Sequence, residues 1–218
     1  MLWGCAVLAL VSVIGANLLR DRDSADRQAD SGAADTIQAG TPQDDPPLRL
    51  TRDAPPFSLI DQNEQPVTLE TLKGKPFIAN FIFTNCGGPC PLMSAKMATL
   101  QKSVPAGVNL VSFSVDPKQD RPAVLKEYAK RFKADNSRWH FLTVAKPEEA
   151  DAIFAVAKGM LVPAEPAKES SPIIHSEKFV LVDAEGMIRS YYSSNNPKHL
   201  EELKADAAAL LNEPTGKK

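Results

Sequence analysis

The stretch from Lys75 to Met93 reads KPFIANFIFTNCGGPCPLM, and the rest of the chain is interpreted outward from it. Its first part, residues 77–83, is a nearly continuous run of aromatic and β-branched residues, which is typical of a strand buried on both faces of a sheet. A loop with two cysteines, Cys86 and Cys90, follows this run, and apolar residues at helical spacing follow the loop. The order predicts a buried strand, a cysteine loop and a helix.

The alternation of strand and helix continues toward the C-terminus. The predicted elements after the loop are helix 92–104, strand 108–115, helix 121–133, strand 141–144, helix 147–159, a hairpin of strands 179–182 and 187–192, and helix 197–211. Asp120 is the expected N-cap of helix 121–133, and Asn196 is the expected cap of the last helix. This order predicts one α/β domain with a central mixed sheet flanked by helices.

The composition is that of a globular protein without a nucleic-acid partner. The chain has 25 Lys+Arg and 27 Asp+Glu, a net charge of -2 with no basic block, which argues against nucleic-acid binding. The hydrophobic fraction of 43% is ordinary for a folded domain. Three cysteines are too few for a disulfide-stabilised scaffold.

The N-terminal quarter differs from the rest. Residues 2–19 carry no charged side chain and are just long enough to cross a bilayer as a helix, which predicts a transmembrane anchor or signal-anchor over residues 1–20. Residues 21–53 are rich in Asp, Ala, Ser and Pro and have no aromatic side chain, which predicts a disordered tether. The folded domain is then expected over residues 54–218.

Cys86 and Cys90 are the residues that point to chemistry. They follow the carboxyl end of a strand, where sites in open α/β sheets lie, and they precede a helix, whose N-terminus stabilises a thiolate. Pro91 fits the first helical position, and Gly87 and Gly88 are expected to let the two sulfurs converge. The alternative is a pair of ordinary buried cysteines, but both cysteines of the folded part share one short loop.

Three kinds of site fit such a pair: a dithiol/disulfide couple, a zinc half-site, and a soft-metal thiolate pair. Structural zinc takes four protein ligands, and the sequence has no second cysteine pair. Two thiolates and one imidazole satisfy Cu(I). The candidate imidazole is His175, which precedes the strand expected beside the cysteine strand. His140 and His199 are expected to be ordinary residues, the latter on the exposed face of the last helix.

Four segments resemble the Sco/SenC family of copper chaperones. Residues 84–91, TNCGGPCP, are similar to that family's T-x-C-x-x-x-C-P loop, and residues 112–117, SFSVDP, resemble its S-V-D-P strand. Residues 139–143 and 175–183 match two further segments in the same order. The resemblance extends over about residues 55–211, and four motifs in order make it fairly specific.

The resemblance implies a thioredoxin-like fold that binds copper, as Cu(I) and also as Cu(II), through Cys86, Cys90 and His175. It implies delivery of copper to the binuclear copper site of cytochrome c oxidase, so that the partner is the oxidase's copper-site subunit or another copper protein. It also implies a single-pass protein of the inner membrane whose soluble domain faces the periplasm. The arginines at positions 20 and 22 favour the cytoplasmic side instead, and the resemblance overrides this bias.

Two positions depart from the family pattern, and one alternative activity stays open. Ile174 stands where many members have Asp before the histidine, and Gly87-Gly88 replace the usual proline after the first cysteine. The first change is expected to weaken the copper site or to disfavour its oxidised form, and the second to loosen the spacing between the sulfurs. The alternative is a thiol–disulfide oxidoreductase with Cys86 and Cys90 as its redox pair. Three residues between the cysteines, and no proline at the start of the neighbouring strand, favour metal binding over this activity.

Overall fold

The computed structural model describes residues 47–166 and 174–213, and of Ile174 and His175 it describes the backbone alone. The strands are β1 (Arg52–Asp53), β2 (Ser58–Ile60), β3 (Pro66–Thr68), β4 (Phe77–Ile82), β5 (Asn109–Ser114), β6 (Trp139–Leu142), β7 (Ala164–Glu165), β8 (Ile174–His175), β9 (Lys178–Val182) and β10 (Met187–Ser193). The helices are α1 (Leu69–Leu72), α2 (Pro89–Ser103), α3 (Pro122–Arg131), α4 (Asp151–Gly159) and α5 (Pro197–Leu210), with a 3-10 turn at Pro147–Glu149.

The predicted anchor over residues 1–20 and the predicted tether up to residue 46 lie outside the described residues. Among the helices that are described, none has the length and apolar character needed to cross a membrane.

Six strands form a mixed central sheet in the order β1-β10-β9-β4-β5-β6. The strands β4, β5 and β6 are parallel to one another, because α2 and α3 each carry the chain back to the start of the next strand. β9 runs antiparallel to β4, and β10 runs antiparallel to β9. The predicted mixed sheet flanked by helices is confirmed.

The sheet separates two apolar layers, since successive side chains of a strand point to opposite faces. One layer includes Phe81 and Phe113, whose rings stack with centroids 5.1 Å apart. The other layer lies under α2 and includes Cys90, Met97 and Trp139. All residues of β4 and β5 are buried, as the continuous apolar run of β4 predicts.

One edge of the sheet is built by the chain that precedes the predicted domain, since β1 is the outermost strand on this side. β1 pairs antiparallel with β10, and Leu48 forms a further bridge to Tyr191. Because Leu48 and β1 pair with this strand, the sheet starts before residue 54, the predicted start of the folded domain. The short β1 has no sequence signal of its own, since its partners lie far along the chain.

The strand at the other edge, β6, is covered by Ile60, the last residue of β2, and by Gln62. Ile60 bridges to Thr143, directly after β6. The side-chain amide of Gln62 donates to the carbonyl of Trp139 (3.0 Å) and accepts from the backbone N–H of Phe141 (2.8 Å). One side chain thus satisfies two outward-facing backbone groups of β6, as a neighbouring strand would.

The last helix is capped as predicted, but one of its histidines is placed differently. The Asn196 side chain accepts a hydrogen bond from the backbone N–H of Lys198 (3.0 Å) and caps α5. The prediction of an exposed His199 is wrong, since this residue is only 6% exposed. Its Nδ1 accepts from the backbone N–H of Ser193 at 3.0 Å, so His199 connects the first turn of α5 to the end of β10.

Candidate metal centre

Cys86 and Cys90 lie at the junction of β4 and α2. Cys86 is half-buried in the loop that leaves β4, whereas Cys90 is fully buried as the second residue of α2. The two residues are thiols and do not form a disulfide. Helix α2 begins at Pro89, so the prediction of Pro91 as its first residue is wrong, and Cys90 lies inside the first turn.

The surroundings of Cys90 keep its sulfur protonated. Burial raises the pKa of the Cys90 thiol strongly, because a thiolate is poorly solvated among apolar residues. The Phe83 backbone N–H donates to the Cys90 sulfur at 3.5 Å and opposes this shift, while a hydrogen bond with the Cys86 thiol adds to it. A metal ion that binds Cys90 must therefore displace its proton.

The two glycines of the loop leave space and relieve no crowding. A Cβ added at Gly87 would meet no atom within 4 Å, and one added at Gly88 would lie 3.9 Å from the Cys86 sulfur, an ordinary contact. A side chain at either position would therefore meet no crowding, and the expectation that the two glycines let the backbone bring the sulfurs together stays a prediction. Gly87 and Gly88 are exposed to solvent, next to the half-buried Cys86.

The backbone of His175 lies in the segment that enters the sheet beside the cysteine strand. β8 pairs with β7, with Ala164 opposite His175. Three residues later β9 begins, and it is antiparallel to β4 with Ala79 opposite Val180. Because the two strands run in opposite directions, the start of β9 lies at the end of β4, from which the loop with Cys86 leaves. His175 thus precedes a strand that starts at the cysteine end of the sheet.

Helix α2 is connected to the chain that follows His175. The Lys96 ammonium group donates to the carbonyl of Ser194 at 2.6 Å. The backbone N–H of Ser194 in turn donates to the carbonyl of Glu177 at 2.9 Å. Lys96 is one turn and a half beyond Cys90, and Glu177 is two residues beyond His175. These bonds fix the helix that carries one cysteine against the start of β9.

The other two histidines are held in different surroundings. His140 lies at the start of β6, the opposite end of the sheet from Cys86, with its Nδ1 3.3 Å from the Asp61 carboxylate. His199 accepts the Ser193 N–H as described above. Among the side chains that the structure describes, no three His, Cys, Asp or Glu are grouped closely enough to hold a metal ion, and the side chain of His175 is not in that set.

Asp120 lies beside the cysteine loop, in a role that differs from the one predicted for it from the sequence. The predicted N-cap of α3 is wrong: Arg121 is the N-cap, and no side chain caps this helix. Asp120 is instead fully buried and accepts hydrogen bonds from Thr84, two residues before Cys86. The sequence offered one sign of this location, since Asp120 follows the carboxyl end of β5, the strand next to the cysteine strand, and sites in such sheets lie beyond the carboxyl ends of the strands.

A parallel β-strand that ends in a C-x-x-x-C loop at a helix N-terminus, within a mixed sheet flanked by helices, defines a thioredoxin-like protein with a paired-thiol site. The chain belongs to the SCO1/SenC family, which matches residues 47–212. The match covers every strand of the described sheet and both cysteines.

Individual relatives agree with this family membership. The SCO1 protein homolog of Bacillus subtilis is 37% identical over 147 residues, which is 66% of this chain and 75% of the relative. BsSco, a member of the Sco family of cytochrome c oxidase assembly proteins in which a disulfide switch was identified, is 32% identical. Its structure superposes with a TM-score of 0.65 over 76% of this chain and 97% of that one.

A further relative was solved with copper bound. ScoI of Bradyrhizobium japonicum is 29% identical and covers 73% of this chain and 100% of its own, with a TM-score of 0.61.

Proposed function

We propose that this protein is a copper metallochaperone that holds Cu(I), and also Cu(II), through Cys86, Cys90 and His175. The observation that carries the proposal is the location of two thiols at the end of β4, beside the segment by which His175 leads into β9. Thiolate and imidazole are ligands that suit Cu(I). The copper-bound ScoI structure supports copper as the cargo.

The proposed recipient is the binuclear copper site of cytochrome c oxidase. Its support is the family, because BsSco belongs to the Sco family of cytochrome c oxidase assembly proteins. We further propose that residues 1–20 anchor the chain in the inner membrane by a single pass, with residues 21–46 as a tether. The soluble domain then faces the periplasm, where it meets the copper-site subunit of the oxidase or another copper protein.

The test is a Cu(I) competition titration on the reduced full chain in detergent, against a chromophoric Cu(I) chelator. We expect one Cu(I) per chain and a loss of affinity in Cys86→Ser, Cys90→Ser and His175→Ala. Because His175 is proposed to bind the metal itself, its loss should exceed the roughly 10–100-fold effect of removing a group that only supports a ligand.

The other two histidines supply matched controls for His175→Ala. His140→Ala and His199→Ala should bind Cu(I) with the affinity of the parent. In the structure His140 contacts the Asp61 carboxylate, and His199 accepts a hydrogen bond from the Ser193 N–H. Equal affinity in His175→Ala and the parent would remove His175 from the site. A parent that binds no Cu(I) would overturn the metallochaperone proposal.

A second function, reduction of partner disulfides, is favoured by the unequal exposure of the two cysteines. The half-buried Cys86 thiolate would attack a partner disulfide, forming a mixed disulfide and releasing one partner thiol. The Cys90 thiol would then lose its proton and attack the Cys86 sulfur, and the second partner thiolate that is released would take up a proton, so that the partner gains the two electrons that the pair loses. This activity should persist in His175→Ala. Failure to turn over any disulfide substrate would exclude it.

A further inference from the structure

The carboxylate of Asp120 accepts the hydrogen bonds that fix the start of the cysteine loop. Asp120 Oδ2 accepts from the Thr84 backbone N–H at 3.0 Å, and Oδ1 accepts from the Thr84 hydroxyl at 2.5 Å. The Ser114 hydroxyl, at the end of β5, donates to Oδ2 at 2.6 Å. Asp120 is 0% exposed, so these bonds are made away from water.

The loop residue held in this way lies close to the half-buried thiol. Thr84 follows β4 directly and precedes Cys86 by two residues, and both its backbone N–H and its hydroxyl go to one side chain. The position of Asp120 is itself fixed, because its backbone N–H donates to the carbonyl of Asp116 at 2.8 Å. Cys90 is held by α2 and by the Phe83 N–H, and a hydrogen bond joins its thiol to that of Cys86. Thr84 therefore fixes the backbone two residues before the Cys86 end of this contact.

The Asp120 side chain does not cap the neighbouring helix α3. Arg121 is the N-cap of α3, so Asp120 lies one position before the cap, and α3 has no side-chain cap. Burial of a carboxylate is costly unless it is hydrogen-bonded, and all the side-chain donors to Asp120 come from Thr84 and Ser114. The carboxylate thus serves the loop of β4 and not the helix that follows it.

We propose that Asp120 is a positioning residue of the copper site: through Thr84 it sets the position of Cys86 relative to Cys90. The inference rests on the proposed function, since it concerns how well the two sulfurs are arranged for Cu(I). Asp120 does not touch the metal in this scheme and acts on it through the loop.

The test compares four variants with the parent in the same Cu(I) competition titration. Asp120→Ala removes all three hydrogen bonds and should lower the Cu(I) affinity by about 10–100-fold, the range for groups that orient a ligand. Asp120→Asn keeps an acceptor for the Thr84 N–H and can donate to the Thr84 hydroxyl, so it should restore an affinity close to that of the parent. Thr84→Val keeps the side-chain shape, removes one bond, and should cause a smaller loss. In the double variant, Thr84→Val should add nothing to Asp120→Ala.

The matched control is a second buried carboxylate at the other end of the sheet. Asp183 is 6% exposed and accepts from the backbone N–H groups of Glu185 (3.1 Å) and Met187 (2.8 Å) in the turn between β9 and β10. Asp183→Ala should lower the free energy of unfolding, since it leaves two backbone donors without their acceptor. It should leave the Cu(I) affinity unchanged.

The possible results separate the positioning role from the proposed function. If Asp120→Ala binds Cu(I) like the parent, or if Asp183→Ala loses as much affinity, the positioning role is overturned. If Asp120→Ala does not fold, Thr84→Val decides, and parental affinity in that variant overturns the inference. A parent that binds no Cu(I) overturns the proposed function itself, and the positioning role with it.

Discussion

Asp120 and Cys90 are both buried, and burial raises the pKa of each because it disfavours the charged form. For Asp120 the hydrogen bonds from Ser114 and Thr84 favour the carboxylate and oppose the shift, but burial prevails. The nearby Asp116 raises the pKa of Asp120 further. The folded protein therefore retains a proton on Asp120 at a pH where the unfolded chain has released it.

This retained proton predicts how the stability of Asp120→Asn depends on pH. As the pH rises from the ordinary aspartate pKa of about 3.9 to the raised folded-state value, the parent loses stability through this group, because the folded state binds more protons than the unfolded state. Asparagine does not titrate. The free energy of unfolding of Asp120→Asn, relative to the parent, should therefore increase with pH across that window. Urea unfolding of both proteins at a series of pH values measures the difference, and a difference that is constant or falls with pH would contradict the prediction.

At the scale of single residues, the sequence predicts the cysteines better than the residues around them. Residue type and spacing mark Cys86 and Cys90, because few roles other than metal or redox chemistry place two cysteines in one strand-to-helix loop. The direction of a side chain follows from partners far along the chain. The position of Asp120 after β5 marks it as lying at the cysteine end of the sheet, but no local pattern reveals that it contacts Thr84, 36 residues earlier.

At the scale of elements, the end of α4 is packed against the segment between β1 and β2. Gly159 is the last residue of α4, and a Cβ at this position would lie 2.5 Å from Cβ and 2.7 Å from Cγ of Pro55. A proline ring cannot rotate out of the way, so the contact can be relieved only by moving the helix or the segment. The absence of a side chain at Gly159 therefore sets how closely the two pieces approach.

Gly159→Ala should destabilise the protein, although the same change raises the stability of an unobstructed helix. Overpacking a close contact costs about 1–3 kcal/mol, which exceeds the gain of about 0.5–1 kcal/mol from replacing a helical glycine. Gly107→Ala is the control: its Cβ would lie 2.9 Å from Cδ2 of Leu211, a flexible side chain that is 37% exposed and can move. Urea unfolding should show a clear loss for Gly159→Ala and little change for Gly107→Ala. Equal effects would show that the Pro55 contact is not rigid.

The elements that the sequence predicts are those with a strong local pattern. β4 is a nearly continuous apolar run, β5 has β-branched and aromatic residues between polar ones, and α5 has both helical spacing and the Asn196 cap, so all three are found close to their predicted bounds. β7 and β8 have two residues each, too few to show a period, and they were not predicted. Pairing over a long sequence distance creates such elements, and a local pattern cannot reveal it.

At the scale of the whole molecule, the proposed site joins two distant parts of the chain. The cysteines belong to the junction of β4 and α2, whereas His175 precedes β9, and only the assembled sheet brings β4 and β9 together. A ligand that binds this arrangement and not the unfolded chain stabilises the folded state.

Cu(I) should therefore raise the melting temperature of the reduced protein. At a free Cu(I) concentration about 100 times the dissociation constant, the stabilisation is about 2.7 kcal/mol, which corresponds to a shift of roughly 5–10 °C for a domain of this size. Thermal unfolding followed by circular dichroism measures the shift under anaerobic conditions. Cys86→Ser should show a much smaller shift. An equal shift in both proteins would locate the bound copper elsewhere.

The two edges of the sheet have a consequence for how other proteins can dock. Many recognition domains bind an extended segment of a partner by strand addition at an open sheet edge, and exposed edges also promote aggregation. Within the described residues, Leu48 and β1 occupy one edge of this sheet, and Ile60 with the Gln62 amide occupies the other. At the β6 edge, an added strand would first have to displace Ile60 and the Gln62 amide, whereas at the other edge it would find only the two residues of β1 to pair with. We therefore expect a protein partner of this domain to dock through side chains and loops.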